Sequence, residues 1–373
     1  MTVAIVHDFL NQYGGAEKVV EVLHSMYPEA PIYTSIYDRE HMPSSFKEMD
    51  IRVSFMQKLP GIFKHFKKYL VLYHAAFETF NLNEYDLVIS SSSSFAKCLR
   101  ISAGTCHICY CHTPARFIWM YEDYVKRESI HGVLLKLLPY VIKYLKKIDI
   151  NSSRHVDYFI ANSFNVAKRI KEFYNKEAEV IYPPVEVSKF SVGEVRDYYL
   201  VVSRLREYKR IDVAVSAFNE LGLPLKIIGS GTDKTKLEAM ASSNIEFLGR
   251  IDDQGLADYY KGAKALIYTG EEDFGIIPVE AQASGRPVIA YGKGGVLETV
   301  VDNVRGEASD KNRTGKFFYP QTKEALVKAV KEFNASDYNS VAIREHALKF
   351  DKESFKKNMR EFIETKYKEY IHD

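Results

Sequence analysis

Strand and helix signals alternate along almost the whole chain, and this alternation limits the possible folds more than any other feature of the sequence. Short runs of β-branched and aromatic residues, such as TVAIVHD at 2–8 and DYYLVVSR at 197–204, are followed by stretches with a helical apolar period. Strands that alternate with helices pair in parallel, and the helices cover both faces of the sheet. The pattern therefore predicts an α/β fold built from doubly wound parallel sheets.

The alternation breaks at Pro183 and Pro184, because adjacent prolines interrupt both helix and strand. A chain of 373 residues is also too long for one ordinary hydrophobic core. We therefore predict an N-terminal Rossmann-like domain over residues 1–183 and a second Rossmann-like domain over residues 184–349. Residues 350–373 are predicted to form a helix that docks through one apolar stripe. The stripe comprises Phe355, Met359, Phe362, Ile363 and Tyr367.

The composition excludes several classes of protein. With 46% hydrophobic and 27% charged residues, the chain is predicted to fold into globular domains rather than to stay disordered. A net charge of +2 provides no overall attraction to nucleic acid, so we expect no nucleic-acid partner. No apolar run approaches the roughly 18 residues that span a bilayer, and the N-terminus lacks the features of a signal peptide. We therefore expect a cytoplasmic protein.

Four cysteines lie close together at Cys98, Cys106, Cys109 and Cys111. Structural zinc sites usually need two separated pairs of ligands on turns, whereas the stretch CHICYCH alternates like a buried strand. In such a strand His107 shares one face with Cys109 and Cys111. We therefore favour reduced thiols in a strand over a metal site, and we predict no metal ligands.

Two strand ends carry residues that suit phosphate binding. Gly14 and Gly15 follow the first strand and precede a helix, where the backbone can approach an anion and the helix start supplies N–H donors. Many tight turns use glycine for shape alone, and this pair is not the GxGxxG of dinucleotide-binding proteins. Arg204 and Lys209 follow the first strand of the second domain. They could neutralise a diphosphate, although a solvated basic loop has the same composition.

Three further strand ends are candidates for ligand contact. His112 ends the strand CHICYC, where it would open toward a binding cleft, although a lone histidine is more often structural. Gly229 lies in the loop IGSGT, and Arg250 ends the segment EFLGR. These loops suit close backbone contact with a flat nucleobase, and they also suit ordinary turns.

The stretch EEDFGIIPVEAQASGRPVIA at 271–290 is the most informative motif. It places Glu272 in a loop after a strand and Glu280 on the following helix, which is predicted to end at Gly285. Gly275 allows the backbone to approach a ligand closely. The two carboxylates could be the acid and base of a hydrolase, ligands for sugar hydroxyls, or part of a solvated helix face.

Together with the motifs around it, this stretch resembles the signature of the retaining nucleotide-sugar glycosyltransferases of family 4, which have the GT-B fold. The motifs that occur in family order are the Gly14-Gly15 turn, SRLREYK, IGSGTDKTKL, EFLGR, the Glu272-x7-Glu280 pair, GGVLETV and TGKFF. The N-terminal text VHDFLNQYGGAEKVVEVLHSMYPEAPIYTSIYD and CYCHTPARFIWMYEDYV is similar to the WbaZ-like branch, most of whose members are assigned as mannosyltransferases of surface polysaccharide assembly. The resemblance implies two Rossmann-like domains facing across a cleft, with the C-terminal helix returning to the first domain.

The resemblance implies donor-binding roles for residues of the second domain. Arg204 and Lys209 would bind the donor diphosphate and stabilise the leaving nucleotide. Glu272 would contact hydroxyls of the donor sugar, and Glu280 would hold the ribose hydroxyls. Backbone amides would help to hold the sugar and phosphate around Phe274, Gly275, Ile276 and Ile277.

The remaining implied roles concern the first domain and the nucleobase. Gly15, beside Gly14, would pack against the donor diphosphate. His112 matches a family histidine near the anomeric centre that helps to position the sugar and the acceptor. The nucleobase would lie near Gly229 and Arg250, largely against backbone.

Two departures from the family pattern lie within these motifs. The family often has glycine where this chain has Asp273, and it usually begins the strand-end motif with glycine where this chain has Ser203. Neither change removes a charged group with an implied role. The chain also contains no Asp-x-Asp, which a metal-dependent transferase uses to hold Mg²⁺. We therefore predict metal-independent transfer without a cofactor, in which the leaving phosphate takes the proton of the acceptor.

The predicted donor is GDP-mannose, and the predicted acceptor is a glycan or lipid-linked glycan. A UDP-sugar donor (glucose, galactose or N-acetylhexosamine) is the alternative within the same fold, and a hydrolytic or epimerising enzyme is a third. A non-catalytic scaffold of polysaccharide assembly is the alternative outside enzymes. The intact charged residues of the motifs argue against the scaffold.

Two basic amphipathic stretches, near 58–72 and 133–147, predict how a lipid-linked acceptor could be reached. The first reads MQKLPGIFKHFKKYLVLY, with four lysines and no acidic residue, and the second is similarly basic and apolar. Basic amphipathic helices bind anionic membrane surfaces. The alternative is that the apolar stripes pack on the sheet while the lysines are solvated.

Overall fold

The computed structural model describes residues 1–121, 133–302 and 312–372. The chain divides into two compact units, Met1–Pro184 together with Phe355–Asp373, and Val185–Ser354. Each unit contains one parallel sheet with helices around it, which confirms the predicted α/β fold with two Rossmann-like doubly wound sheets.

The first unit is built on a seven-stranded parallel sheet in the order β3-β2-β1-β4-β5-β6-β7. Its strands are β1 (Val3–His7), β2 (Ile32–Thr34), β3 (Ile51–Val53), β4 (Leu87–Ser92), β5 (Cys106–Cys111), β6 (Tyr158–Ala161) and β7 (Ala178–Val180). Its α-helices in the described residues are Gly15–Met26, Ile62–His65, Tyr73–Glu78, Arg116–Trp119, Val133–Ser153, Phe164–Tyr174 and the C-terminal helix Lys352–His372, most of which belongs to this unit.

The second unit is built on a six-stranded parallel sheet in the order β10-β9-β8-β11-β12-β13. Its strands are β8 (Tyr199–Val202), β9 (Leu225–Ile228), β10 (Ile245–Gly249), β11 (Leu266–Tyr268), β12 (Val288–Tyr291) and β13 (Gly315–Phe318). Its α-helices in the described residues are Ile211–Leu221, Lys234–Met240, Asp253–Gly262, Ile276–Ala283, Val296–Thr299, Lys323–Lys331 and Ser340–Ala347.

In both sheets the order of the strands reverses beside the strand that comes first in the chain. In the first unit β1 pairs with β2 on one side and with β4 on the other, and in the second unit β8 pairs with β9 and with β11. Loops diverge beyond the carboxyl ends of two such strands, and ligands of open α/β sheets bind in the crevice that this leaves. The strand order therefore marks the ends of β1 and β4, and of β8 and β11, as the places for a site.

The C-terminal helix packs on the sheet of the first unit, as the apolar stripe predicts. Phe355, Met359, Phe362 and Ile363 are buried in one cluster with side chains of β1 and β5, and Tyr367 packs against it. The Tyr370 hydroxyl also donates a hydrogen bond to the Ala103 carbonyl at 2.6 Å. The return of this helix to the N-terminal sheet agrees with the fold that the resemblance implies.

The cysteines lie where the alternation of CHICYCH predicts. Cys106–Cys111 is the fully buried strand β5, and the described cysteines are free thiols. Cys109 and Cys111 face one cluster, while Ile108 and Tyr110 face another. Burial raises the pKa of the Cys109 thiol to about 12, so the thiol stays protonated.

The prediction of one amphipathic helix near 58–72 is wrong. The segment forms the short helix Ile62–His65 between two 3-10 stretches, Phe55–Lys58 and Phe66–Leu72. Gly61, with a left-handed φ of +60°, interrupts the helical conformation immediately before the short helix. Most of the apolar stripe packs on the domain's own core, because Ile62 is buried and Leu59, Phe66 and Leu70 are partly buried against the same cluster.

The second basic stretch, near 133–147, lies within the helix Val133–Ser153. None of the helices described is long and apolar enough to cross a bilayer.

Candidate functional site

The loop after β8 and the loop after β11 are joined by an ion pair between Lys209 and Glu272. The two side chains are 12% and 26% exposed, so the pair is largely shielded from solvent. The backbone is tied at the same place, since the Thr269 hydroxyl donates to the Lys209 carbonyl at 3.0 Å. An ammonium and a carboxylate of the motif are therefore adjacent at the switch point of the sheet, and each fixes the direction of the other.

The Glu272 loop is held from below by the glycine pair of GKGGVLETV. Glu272 forms a parallel bridge with Gly294, and the Gly295 N–H donates to the Glu272 carbonyl at 2.9 Å. A Cβ atom on Gly294 would lie 2.3 Å from the Glu272 carbonyl oxygen, and one on Gly295 would lie 2.3 Å from that of Asp273. Only glycine lets these backbones approach so closely. The position of Glu272 thus depends on two glycines that lie more than twenty residues further along the chain.

Gly275 ends this loop and begins the helix Ile276–Ala283. Its φ of +88° lies in the left-handed region, where a side chain is disfavoured, and its backbone packs near the Tyr268 hydroxyl. Phe274, only 4% exposed, anchors the loop by packing its ring 5.7 Å from that of Phe350. The first N–H groups of the helix, from Ile276 and Ile277 onward, are the donors that an anion would meet here.

Glu280 lies on that helix and is buried, but its partner was not predicted from the sequence. The Tyr260 hydroxyl donates a hydrogen bond to Glu280 Oε2 at 2.9 Å. Burial, followed by the charge of Glu280, raises the pKa of Tyr260 well above its usual value, so the phenol stays a donor. Tyr260 therefore orients the carboxylate. The two glutamates of the motif serve separate contacts, Glu272 with Lys209 and Glu280 with Tyr260.

The loops predicted to lie near a nucleobase are joined to each other. The Gly229 N–H donates to the Gly249 carbonyl at 2.7 Å, and Arg250 Nε donates to the Ser230 hydroxyl at 2.8 Å. Gly229 has φ +134°, and a Cβ atom on it would overlap the Ser203 carbonyl oxygen at 1.8 Å. The ends of β8, β9 and β10 are thus in close backbone contact.

Arg204 and Asp273 differ in their exposure to solvent. Arg204 is exposed on the loop after β8, where its side chain can reach a ligand. Asp273, which stands where the family often has glycine, is only 9% exposed. The Asp273 carbonyl lies against Gly295, so the backbone of the loop packs closely on this glycine.

In the first unit, Gly14 and Gly15 form the turn between β1 and the helix Gly15–Met26. The Gly14 carbonyl accepts the N–H of Lys18 at 3.0 Å, which fixes the first turn of the helix. Gly14 makes no side-chain cap, so this helix start presents backbone only. The predicted phosphate-binding turn therefore has the geometry of a strand-to-helix turn at the switch point.

His112 follows β5 and belongs to a buried polar cluster that the sequence analysis did not identify. Its Nε2 lies 2.8 Å from the Ser91 hydroxyl, and Ser91 lies 3.1 Å from His7 Nδ1. The Asn162 amide donates to the His112 carbonyl at 2.9 Å. Burial, and then the nearby His7, lower the pKa of His112 to about 3, so the imidazole is neutral in ordinary buffers.

In the same unit the buried carboxylate of Asp8 fixes the loop after β4. Its two oxygens accept hydrogen bonds from four consecutive backbone N–H groups of residues 93–96, at 2.5–3.0 Å. The serine run that includes Ser91 is therefore a rigid strand end. The contacts of Asp8 and Ser91 were not predicted from the sequence, because nothing in a run of serines indicates which hydroxyl contacts which partner.

Among the described residues, no group of three or more His, Cys, Asp or Glu side chains is arranged to hold a metal ion. What the second unit offers a ligand is a lysine, an arginine, two oriented carboxylates and a helix start. Such a set can bind a phosphate through its cations and N–H groups, and hydroxyls through its carboxylates.

Two family models match the chain, glycosyltransferase family 4 over residues 13–189 and glycosyl transferases group 1 over residues 186–356. Together the matches contain every residue that the sequence assigns to the donor site. The chain belongs to the family 4 glycosyltransferases. The match places the Lys209–Glu272 pair and Glu280 in the group 1 region, and Gly15 and His112 in the family 4 region.

Curated relatives of this family 4 chain include named mannosyltransferases. The alpha-1,3/1,6-mannosyltransferase ALG2 of Saccharomyces cerevisiae is 22% identical over 389 residues, covering 84% of this chain and 74% of the relative. The protein of the same name from Kluyveromyces lactis is 26% identical over 360 residues, covering 80% and 71%. A D-inositol 3-phosphate glycosyltransferase of Nocardiopsis dassonvillei is 29% identical over 188 residues, covering 41% and 44%.

Solved structures share the fold of the whole chain. The HepE protein of Anabaena in complex with UDP has a TM-score of 0.71 at 15% identity, covering 98% of this chain and 100% of that one. Sucrose-phosphate synthase of Thermosynechococcus elongatus has a TM-score of 0.72 at 15% identity, covering 98% and 99%. At this level of identity the likeness shows the fold alone, and it agrees with the GT-B architecture that the motif order implies.

Proposed function

We propose that this chain transfers a mannosyl group from GDP-mannose to a glycan or lipid-linked glycan in surface polysaccharide assembly, with retention of anomeric configuration and without a metal ion. The observation that carries the proposal is the Lys209–Glu272 pair at the switch point of the second sheet. The named mannosyltransferases among the relatives support the sugar, and they cover about four fifths of the chain.

In this proposal the second unit binds the donor. Lys209 and the exposed Arg204 bind the diphosphate and stabilise the charge that develops on the leaving nucleotide. Glu272, whose other partner is Lys209, accepts hydrogen bonds from sugar hydroxyls. The N–H groups at the start of Ile276–Ala283 hold the sugar and phosphate, and Glu280 accepts from the ribose hydroxyls. The backbone near Gly229 and Arg250 receives the base.

In the same proposal the first unit binds the acceptor. Gly15 lets the backbone pack against the diphosphate, and His112 positions the sugar and the acceptor. Because the imidazole is neutral, His112 acts through a hydrogen bond rather than through a charge. The reaction then proceeds on one face of the sugar: the acceptor oxygen attacks the anomeric carbon as the bond to the diphosphate breaks, and the acceptor proton passes to the leaving phosphate. Neither glutamate serves as the acid or base of a glycosidase.

The proposal is tested by transfer of radiolabelled mannose from GDP-mannose into a lipid-linked glycan fraction in the presence of EDTA. We expect label in the product, an unchanged rate when EDTA is added, and an α-anomeric signal when the product is examined by NMR. Loss of transfer with EDTA would overturn metal independence, and a β-anomer would overturn retention.

The alternative donor is a UDP-sugar, and it is favoured by the HepE structure, which shares the fold and was solved in complex with UDP. The same assay distinguishes the two donors. Label that enters the glycan fraction from UDP-glucose, UDP-galactose or a UDP-N-acetylhexosamine, and not from GDP-mannose, would replace the first proposal by the second.

Replacing Glu280 by alanine is expected to weaken nucleotide binding by about tenfold to a hundredfold, because hydrogen bonds to a charged group are lost. Tyr260→Phe should weaken it less, by a few-fold, since the carboxylate remains and only its orientation is released. Calorimetric titration with GDP measures both effects. Glu272→Ala is the matched control, for which we expect loss of turnover with a smaller change in GDP affinity. Equal loss of GDP binding in the Glu272 and Glu280 variants would contradict this division of roles.

We also propose that the first unit meets an anionic membrane surface at the cytoplasmic face. Although residues 58–72 are not one helix, apolar side chains remain exposed on this unit: Phe63 at 42%, Val71 at 42%, Tyr140 at 75% and Tyr144 at 51%. The Tyr144 ring lies 6.0 Å from that of His74, which links the helix Val133–Ser153 to the segment that follows 58–72. Exposed aromatic and aliphatic residues among lysines are typical of interfacial binding.

Reversing the charge of three exposed lysines, Lys64, Lys67 and Lys68, to glutamate should abolish binding to liposomes that contain anionic lipid. Each lysine near such a surface contributes about 1 kcal/mol, so three reversals cost at least several hundredfold in affinity. Transfer to a lipid-linked acceptor should fall with it. The control reverses Lys328, Lys331 and Lys349 of the second unit. Unchanged sedimentation of the first variant with liposomes would contradict the membrane proposal and leave the transfer proposal intact.

A further inference from the structure

A chain of buried polar side chains connects the helix after β1 to His112. Glu17 Oε1 lies 3.7 Å from His7 Nε2, the Ser91 hydroxyl lies 3.1 Å from His7 Nδ1, and the same hydroxyl lies 2.8 Å from His112 Nε2. All four side chains are less than a tenth exposed. They come from the ends of three adjacent strands, β1, β4 and β5, and from the first turn of the helix Gly15–Met26.

The backbone decides which nitrogen of His7 carries a proton. His7 Nδ1 lies 3.1 Å from the carbonyl oxygen of Ser91 as well as from its hydroxyl. A carbonyl oxygen can only accept, so a hydrogen bond at this distance requires a proton on Nδ1. The carboxylate of Glu17 faces the other nitrogen, with Oε1 3.7 Å from Nε2.

The proton on His7 in turn sets the direction of the next hydrogen bond. The Ser91 hydroxyl lies between two ring nitrogens, and it can satisfy both by accepting from His7 Nδ1 and donating its own proton to His112 Nε2. His112 Nε2 is then an acceptor. Because a neutral imidazole carries one proton, that proton lies on Nδ1.

We propose that His7 and Ser91 are positioning residues that hold His112 as the neutral tautomer with its proton on Nδ1, so that His112 donates a hydrogen bond to an oxygen atom of the donor sugar. Glu17 holds His7 in place from the other side. The inference rests on the proposed function for the role of His112, whereas the tautomer itself rests only on the contacts within the first unit.

The tautomer is measured by NMR of the full chain labelled with 15N-histidine, without substrate. The His112 signals are identified by their loss in His112→Asn. We expect a protonated Nδ1 and an unprotonated Nε2 for His112, and a shift of both signals toward a mixture in Ser91→Ala. A proton on Nε2 in the wild-type protein would overturn the inference, and so would an unchanged tautomer in Ser91→Ala.

A matched pair of variants at His7 tests whether the effect reaches the reaction. Asparagine places its amide nitrogen near the position of Nδ1, and glutamine places its amide nitrogen near that of Nε2. His7→Asn therefore keeps a donor for the Ser91 carbonyl and gives up the contact with Glu17, while His7→Gln does the reverse. We expect kcat to fall about tenfold in His7→Gln and about threefold in His7→Asn, as the loss of one hydrogen bond permits. The change should lie in kcat more than in the donor KM, because the nucleotide contacts are elsewhere.

The test is which of the two variants loses more kcat. A larger loss in His7→Asn than in His7→Gln would overturn the role of the Ser91 contact. If the wild-type protein transfers no sugar from any nucleotide donor, the proposed function fails, and the NMR measurement still decides the tautomer. If transfer is normal and the proton of His112 lies on Nε2, only the present inference fails.

Discussion

Lys209→Met should lower kcat/KM for the donor by about a hundredfold to a thousandfold. In the proposed mechanism the ammonium stabilises the charge on the leaving diphosphate, and removal of one such preorganised donor costs other enzymes that much. The substitution also removes the partner that orients Glu272, so the sugar contact and the phosphate contact are lost together. The measurement is initial-rate kinetics with GDP-mannose, compared with the wild-type protein.

Lys293→Met is the control for this prediction, since Lys293 pairs with the neighbouring Glu271 at 3.1 Å and is 59% exposed. It should change kcat/KM by less than about threefold, as expected for an exposed pair. The double variant Lys209→Met with Glu272→Gln should lose far less than the product of the two single losses, because residues in direct contact are coupled. Additive losses in the double variant, or equal losses at Lys209 and Lys293, would contradict the role of the pair.

Lys97→Met should lower the free energy of unfolding of the first unit by about 3–5 kcal/mol, because it leaves a buried carboxylate without its cation. Lys97 and Asp149 form an ion pair whose side chains are 2% and 0% exposed. Burial lowers the pKa of Lys97, but the Asp149 carboxylate and, to a smaller extent, the nearby Cys98 and Cys111 raise it, and the net pKa lies above its usual value. The ammonium is therefore charged in the folded protein at every ordinary pH.

Urea unfolding followed by tryptophan fluorescence measures this effect directly. Trp119 is the single tryptophan of the chain, and its indole N–H donates to Asp149 Oδ2 at 2.7 Å. The control is Lys171→Met, which removes a pair with Glu177 whose side chains are 53% and 84% exposed. The control should change the unfolding free energy by at most about 1 kcal/mol. A loss at Lys97 no larger than at Lys171 would show that the buried pair does not stabilise this unit.

The elements of the fold could be predicted wherever the apolar period was strong. Gly285, with φ +71°, follows the end of the helix that carries Glu280, as the sequence indicates. The segment 58–72 was predicted as one helix because its apolar spacing is helical, yet tertiary packing and Gly61 divide it.

The site was predictable in its residue types and not in its pairings. Strand-end position made Lys209, Glu272 and Glu280 candidates for ligand contact, and the resemblance to family 4 implied their donor-binding roles. The partner of Glu280, Tyr260, lies twenty residues earlier in the chain on another helix. Nothing in the sequence of that helix marks this tyrosine as the partner of a carboxylate. His7 and Ser91 are likewise brought to His112 by the order of the strands, which the local sequence does not encode. Long-range pairings of this kind are properties of the folded sheet.

The two glutamates of the motif now have separate surroundings. Glu272 is paired with a lysine across two loops, and Glu280 is oriented by a tyrosine hydroxyl inside the second unit. A glycosidase instead uses two carboxyl groups that flank the scissile bond, one as the general acid and the other as the base or nucleophile. The structure thus favours hydroxyl binding over acid–base catalysis among the three readings of the stretch.

The central claim is that the second unit binds GDP-mannose without a metal ion, and calorimetric titration in EDTA tests it most directly. GDP and GDP-mannose should bind the wild-type chain at least about tenfold more tightly than UDP, UDP-glucose or UDP-N-acetylglucosamine, a difference of about 1.4 kcal/mol. Binding of GDP-mannose that is no tighter than that of the UDP-sugars, or that requires added Mg²⁺, would contradict the account.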